Sequence, residues 1–304
     1  MTKLPLSHYS PVLANKAWSG AEGYISYTRC TFDSSIKKIP MGKRQWGRKR
    51  GLYSWKVERA LAENLENHIA PIYQRIMNFN EICEDERIVW SQFLLSQFVR
   101  TPTFMEYEKT TCKQLNIEDK TKNDRVGCKE CKDLNYIVNR DWYLLIAHKD
   151  DYFVRSDNPI LISGFIERPE TCIFYPLNPK ICFVACSMQQ DWNAFSHKPK
   201  ETYGHYLEKG GAHFINFHFA RAAKDSLIIN PSHVGPIADT MFLEILGLYP
   251  QPPFLLHSPQ PHEMEEAFES INIIMSATDG LKYPSWTPFE LEPFFNRVEK
   301  NSNP

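Results

Sequence analysis

Trp55–Asn78, WKVERALAENLENHIAPIYQRIMN, places Leu61, Leu65, Ile69, Ile72 and Ile76 three or four residues apart, the spacing that lines apolar side chains along one face of an α-helix. Pro71 lies inside this pattern, where it removes a backbone donor and predicts a kink. A second helical run is expected from about Glu84 to Arg100, with Ile88, Val89, Phe93, Leu94 and Phe98 as its apolar set, and Pro102 can open another helix at its first turn. The chain ahead of Ser54 reads as irregular. From Asn116 to Asp133 it is charged and short of large apolar residues, which marks an excursion before a further expected helix, Leu134 to His148.

Short runs of β type come next: Tyr152 to Arg155, Ile160 to Ser163, Cys172 to Tyr175 and Ile181 to Cys186, punctuated by Pro159, Pro169, Pro176 and Pro179. Helical spacing returns from Gly210 to Asp225, a strand is expected from Ser226 to Asn230, and a late helix from Glu263 to Met275. The expected class is α+β, with a mainly helical N-terminal half and a small central and C-terminal sheet flanked by helices. Residues 1–150 form the mainly helical region, including the basic aromatic segment 34–56, and residues 151–304 form an α+β region, the two making one compact unit. The proline-rich segments around Pro250 to Pro261 and Pro284 to Pro304 read as surface wrapping.

A chain of 304 residues that is 42% hydrophobic can bury a sizeable core. Lys plus Arg (35) nearly cancels Asp plus Glu (36), so any affinity for a polyanion must be regional. Met1 to Pro11 lacks the apolar run of a secretory signal, and no apolar stretch reaches the roughly 18 residues needed to cross a bilayer. The expected compartment is the cytoplasm, where Cys30, Cys83, Cys172, Cys182 and Cys186 remain thiols.

The regional asymmetry lies between Ser34 and Lys56. Lys37, Lys38, Lys43, Arg44, Arg48, Lys49, Arg50 and Lys56 occur there with no acidic residue, interleaved with Trp46, Tyr53 and Trp55. Cationic groups neutralise phosphates and release counterions, and flat rings stack on unpaired bases, so nucleic acid, DNA before RNA, is the expected partner. A solvated basic loop whose tryptophans anchor it to the core has the same composition. No membrane partner is expected, and the oligomeric state is not legible.

Four clusters join polar side chains to a proline: His8-Tyr9-Ser10-Pro11, Arg100-Thr101-Pro102, Ser156-Asp157-Asn158-Pro159 and Tyr175-Pro176-Leu177-Asn178-Pro179. With Tyr53, Glu58 and Glu66 on or beside the first helix, their order over residues 6–230 resembles the bacterial family named domain of unknown function 4238. The resemblance implies an accessory or mobile-element gene of the kind used against phage, and implies no particular activity. Val12, Leu13, Ala14 and Asn15 match the family's continuation loosely, and the Cys112 to Cys131 insertion looks peculiar to this chain.

Asp157 is the first candidate for a catalytic acid or base, since a carboxylate can orient water or support an oxocarbenium-like sugar cation. Ser-Asp-Asn-Pro is equally good turn chemistry. His8 is the second candidate, through an imidazole that titrates near neutrality, with the Tyr9 hydroxyl beside it; packing is its plain alternative. Arg100 can clamp a phosphate, cap its helix dipole, or pair with Glu66. Asn158, Lys43, Arg44, Trp46, Arg48, Lys49, Arg50 and Trp55 complete the expected substrate-binding set. Cys128 and Cys131 have the spacing of zinc ligands, with Cys112 and His148 as further donors, but a second close pair is missing and no cofactor is expected. His213 and His218, five apart, do not share a helix face and read as packing residues.

No Gly-rich phosphate loop, nucleophile elbow or kinase set occurs, which disfavours NTP hydrolysis, serine hydrolysis and dinucleotide redox chemistry. The expected function is a nucleic-acid-directed hydrolase in phage defence, with a base-excising DNA glycosylase ahead of a metal-dependent nuclease, because excision needs one carboxylate, a water and an aromatic pocket. A non-catalytic nucleic-acid sensor is the rival, and an enzyme of soluble nucleotides a third reading.

Overall fold

The computed structural model describes residues 6–30, 36–52, 55–101, 104–105, 109, 113, 133–163, 171–186 and 202–229. The chain opens with β1 (Leu6–His8), α1 (Val12–Asn15) and a 3-10 turn at Lys16–Trp18, followed by β2 (Tyr24–Cys30), β3 (Ile36–Gly42) and β4 (Arg48–Arg50). The long helical run is α2 (Trp55–Leu61), a π-turn at Ala62–Glu66 and α3 (Asn67–Met77), and α4 spans Glu84–Val99. After α5 (Asp133–Val138) come β5 (Asp141–Ile146), β6 (Arg155–Ser156), β7 (Leu161–Ile162), β8 (Ile173–Asn178), β9 (Ile181–Cys186), β10 (Thr202–Tyr206), α6 (Gly211–Ala222) and β11 (Ser226–Ile229).

The strands form a five-stranded sheet in the order β10-β5-β9-β8-β7, a four-stranded sheet in the order β3-β2-β11-β6, and the β1-β4 ribbon. The larger sheet is the centre of a three-layer arrangement. Along β5 and β9, Trp142, Leu144, Phe183 and Ala185 join a core with Ile69, Tyr73, Trp90 and Phe93 of α3 and α4, while Tyr143, Leu145, Cys182 and Val184 join one with Ala212, Phe214, Ile215 and Phe219 of α6. The period-2 alternation thus sends successive side chains to opposite helical layers. Trp90 organises the first layer: Phe93 stacks on it at 5.3 Å, and Tyr175 and Phe183 meet it edge-on at 6.0 and 5.4 Å. The smaller sheet has its own cluster of Trp18, Ile25, Trp46 and Ile228.

The expected mainly helical N-terminal half is corrected: it contributes β1 to β5, including the seven-residue strands β2 and β3 within the stretch read as irregular. Lysines and Pro40 disguised β3. It is an edge strand among the described residues, where a missing donor and charged residues are tolerated because one side of the strand has no partner among them. The expected helix from Leu134 to His148 also divides, into α5 and then β5. Trp142 to Leu145 are all buried because β5 lies inside the sheet with both faces covered, and such a strand is a continuous apolar run without helical or alternating period. The helices expected at 55–78, 84–100 and 210–225 appear as α2 with α3, α4 and α6. β10 was not anticipated, and the late helix at 263–275 lies outside the described residues.

Both larger sheets combine distant segments. β2 pairs antiparallel with β11, and β5 pairs antiparallel with β9 and parallel with β10. Among the described residues no helix is long and apolar enough to cross a membrane.

Candidate functional site

β1 and β4 pair antiparallel with Leu6 opposite Arg50, Ser7 opposite Lys49 and His8 opposite Arg48. Gly47 fixes the ribbon's end. It has φ +78°, its carbonyl accepts the amides of Tyr9 and Ser10 at 2.8 and 3.0 Å, and a Cβ at this position would lie 2.5 Å from the Ser10 Cβ. Arg48, Lys49 and Arg50 are exposed along β4, as is Arg44 before it, while Lys43 is half-buried. Trp55 is 62% exposed and Tyr24 54%, whereas Trp46 is 3% exposed, donates Nε1–H to the Ser226 hydroxyl at 3.2 Å and takes the edge of Tyr9 at 6.1 Å. Trp46 therefore anchors the ribbon and offers no face to a base, while Trp55 does.

His8 Nδ1 lies 3.1 Å from Glu58 Oε1, both residues being half-buried. The other Glu58 oxygen is buried without a hydrogen-bond partner among the described residues. Glu66 Oε1 accepts from Arg100 Nη1 at 2.7 Å. The π-turn relates these two glutamates: in a regular helix residues eight apart differ by about 80° around the axis, but one inserted residue makes the offset that of seven, about 20°. Glu58 and Glu66 thereby share one face, two turns apart, so the helix presents a His–Glu pair and an Arg–Glu pair in a row.

Behind them lies a buried polar network. Arg155, fully enclosed, donates from Nη1 to the Pro176 carbonyl at 3.1 Å and from Nη2 to the Tyr175 hydroxyl at 2.8 Å and the Ser10 hydroxyl at 3.5 Å. Its guanidinium also lies 4.6 Å from the Tyr175 ring centre. Ser10 in turn donates to Asn15 Oδ1 at 2.7 Å. Burial raises the Tyr175 phenol above its ordinary value, opposed by Arg155 and by the positive charge of Arg100, with Glu66 adding to the rise. Members of three of the proline-bearing clusters therefore meet in space: Ser10, Arg100 and Tyr175. Sequence reasoning missed Arg155, Tyr175, Ser10 and Asn15 as parts of this network; the signal was that the last two lie in or beside His8-Tyr9-Ser10-Pro11, and Arg155 directly precedes Ser156.

Asp157 is placed differently. It is 2% exposed, and its carboxylate accepts three backbone amides, Lys224 at 2.7 Å, Asp225 at 2.7 Å and Ser226 at 3.0 Å. Burial pushes its carboxyl up to about 7 against the opposing pull of those amides. The reading of Asp157 as an acid projecting into a cleft gives way to a turn holder that ties the end of α6 to the start of β11. Asn158 is 1% exposed, and the Ser156 hydroxyl accepts its amide at 2.9 Å and donates to its carbonyl at 2.6 Å, so it too sits in a closed turn. The turn is not remote from the basic ribbon, because Lys49 is close enough to Lys224 to add to the lowering of that amine, of which burial is the larger cause.

His213 and His218 pack edge-on against Tyr152 and Phe214 at 5.4 and 5.1 Å. Burial lowers the His213 imidazole, against the pull of Asp151, whose Oδ1 lies 3.5 Å from its Nε2. Among the described residues no group of three or more His, Cys, Asp or Glu could hold a metal ion. Cys112, Cys128 and Cys131 lie outside the described residues.

Residues 8–133 match the profile of the family described as Protein of unknown function (DUF4238), and the chain resembles that family over this segment. The matched segment contains His8, Glu58, Glu66 and Arg100. No curated protein and no solved structure matches the chain.

Proposed function

We propose that the protein is a nucleic-acid-directed hydrolase that holds a strand on the β1-β4 ribbon and transfers protons through the His8–Glu58 pair. The observation that carries this reading is the ribbon's register: His8 stands opposite Arg48, so the exposed cationic strand and the histidine of the acid–base pair belong to one two-stranded unit, with Glu58 reaching it from α2. Arg48, Lys49, Arg50 and Arg44 neutralise phosphates, and Trp55 supplies an exposed ring for a base. Glu58, with one oxygen on His8 and the other without a partner among the described residues, takes the task first expected of Asp157, orienting water against a sugar carbon or a phosphorus. Base excision remains ahead of strand cleavage because one carboxylate and one water suffice for it. DNA, in the setting of phage defence that the family resemblance implies, is the proposed substrate.

The test is incubation of the pure protein with phage-modified and unmodified DNA and with RNA, followed by assay of free bases, alkali-labile sites and direct cuts. Free base that disappears in Glu58→Gln and persists in Asp157→Asn supports excision at this pair. Direct cuts abolished by EDTA point to a metal nuclease. Polymer that is bound but unchanged favours the second reading, a sensor, for which the closed environment of Asp157 speaks.

A further inference from the structure

Arg100 is 1% exposed, and Glu66 engages its Nη1 at 2.7 Å. Its Nε and Nη2 have no hydrogen-bond partner among the described residues. These two nitrogens form the side-on edge of the guanidinium, whose parallel N–H bonds match two oxygens of one phosphate or carboxylate. Gln97, one turn earlier on α4, is fully buried, and neither its Oε1 nor its Nε2 has a hydrogen-bond partner among the described residues. A residue three positions away lies on the same helix face, so Gln97 adds a neutral donor beside the charged edge. A buried guanidinium with half of its fork unused, next to a buried amide with none of its bonds made, is an arrangement that folding alone leaves costly and that an acceptor ligand completes.

We infer that the Nε–Nη2 edge of Arg100, with Gln97 Nε2 beside it, is a subsite for a single phosphate group, which Glu66 serves by holding the guanidinium from the opposite end. Arg155 lies behind, separated by Tyr175, and its field adds to the positive potential without requiring contact. The subsite deepens the hydrolase reading and rests on it for the identity of the ligand: the ribbon grips the polymer along its length, and Arg100 takes one phosphate near the His8–Glu58 pair.

The experiment is calorimetric titration of the full chain with inorganic phosphate, with a nucleoside monophosphate and with a 5′-phosphorylated oligonucleotide. Arg100→Lys keeps the charge and removes the side-on fork; it is expected to weaken inorganic phosphate binding by at least about tenfold. Equal phosphate affinity in wild type and Arg100→Lys, or no phosphate binding by wild type, overturns the subsite. Should Arg100→Lys fail to fold by circular dichroism, Gln97→Met, close in volume and without a donor, decides in the same assay: severalfold weakening supports the subsite and unchanged affinity overturns it. The combined variant Arg48→Ala, Lys49→Ala, Arg50→Ala is expected to lose oligonucleotide affinity and keep phosphate affinity. A protein that binds phosphate and the monophosphate but no oligonucleotide retains the subsite and loses the polymer reading, whereas one that binds oligonucleotide but no phosphate loses the subsite alone.

Discussion

Three amides converging on Asp157 give it a structural task with a measurable size. Replacing it by alanine strands the Lys224, Asp225 and Ser226 N–H groups in a buried turn, and Asp157→Ala is expected to cost about 3 kcal/mol or more by urea denaturation. The cost depends on pH with a definite sign. The folded-state value of about 7 lies above the roughly 3.9 of an unfolded aspartate, so the folded protein binds the extra proton between them. Stability from this group is complete below about pH 4 and falls as pH rises through 7, so the gap between wild type and Asp157→Ala should narrow from acid to neutral solution. A gap that stays flat from pH 4 to 8, measured by parallel denaturation curves, refutes the raised carboxyl. Half of this role was legible: Ser-Asp-Asn-Pro announces a turn. The other half was not, because the amides that Asp157 holds lie 67 to 69 residues further along the chain, and local sequence carries no sign of them. Arg155 escaped notice for the same reason, its partners Ser10 and Tyr175 being 145 and 20 residues away.

A π-turn inside a long helix needs a cause, and Pro71 lies in the helix that follows it. Having no N–H, Pro71 cannot bond the carbonyl four residues back, Asn67, which opens the helix next to the place where its hydrogen bonds widen to the π pattern. The result aligns Glu58 with Glu66, and a deletion tests it. Removing the exposed Glu63 restores a regular helix in which the two glutamates stand seven apart, about 20° around the axis, and so keeps them aligned. A double-mutant cycle of His8→Ala with Glu58→Ala is expected to give a coupling of about 0.5 to 1 kcal/mol in the parent and a similar coupling in the deletion background, with helicity preserved in the far-ultraviolet spectrum. Loss of the coupling on deletion would mean that the π-turn does not act as one inserted residue between the two glutamates. The helices were readable because Leu61 to Ile76 and Ile88 to Phe98 keep helical spacing. β5 was not, since a strand covered on both faces has no alternation, and β3 was not, since an edge strand admits the lysines and proline that argue against a strand elsewhere.

The net charge of −1 means that the whole molecule does not attract a polyanion, and only the placement of its cations can. That placement depends on long-range pairing. β11 lies between β2 and β6, so the Asp157 turn at its start is built into the same sheet as the strands that lead to the ribbon, and Trp46 joins ribbon to sheet through Ser226. Lys224, held in that turn by its backbone, is thereby kept close to Lys49 of β4. Asp225 beside Lys224 already outweighs the repulsion from Lys49, so the exposed cations of β4 itself carry the case for bound phosphates. Affinity for single-stranded DNA should therefore fall linearly on a log–log plot against salt, and the combined alanine variant of Arg48, Lys49 and Arg50 should flatten the slope by about 2. Lys149→Ala with Lys209→Ala, both exposed and off the ribbon, removes charge at the cost of one exposed 4.0 Å ion pair between Lys209 and Asp150, and should leave the slope unchanged. Fluorescence anisotropy at several salt concentrations distinguishes the two. Equal flattening per charge removed would assign the affinity to net charge alone and take the ribbon out of recognition.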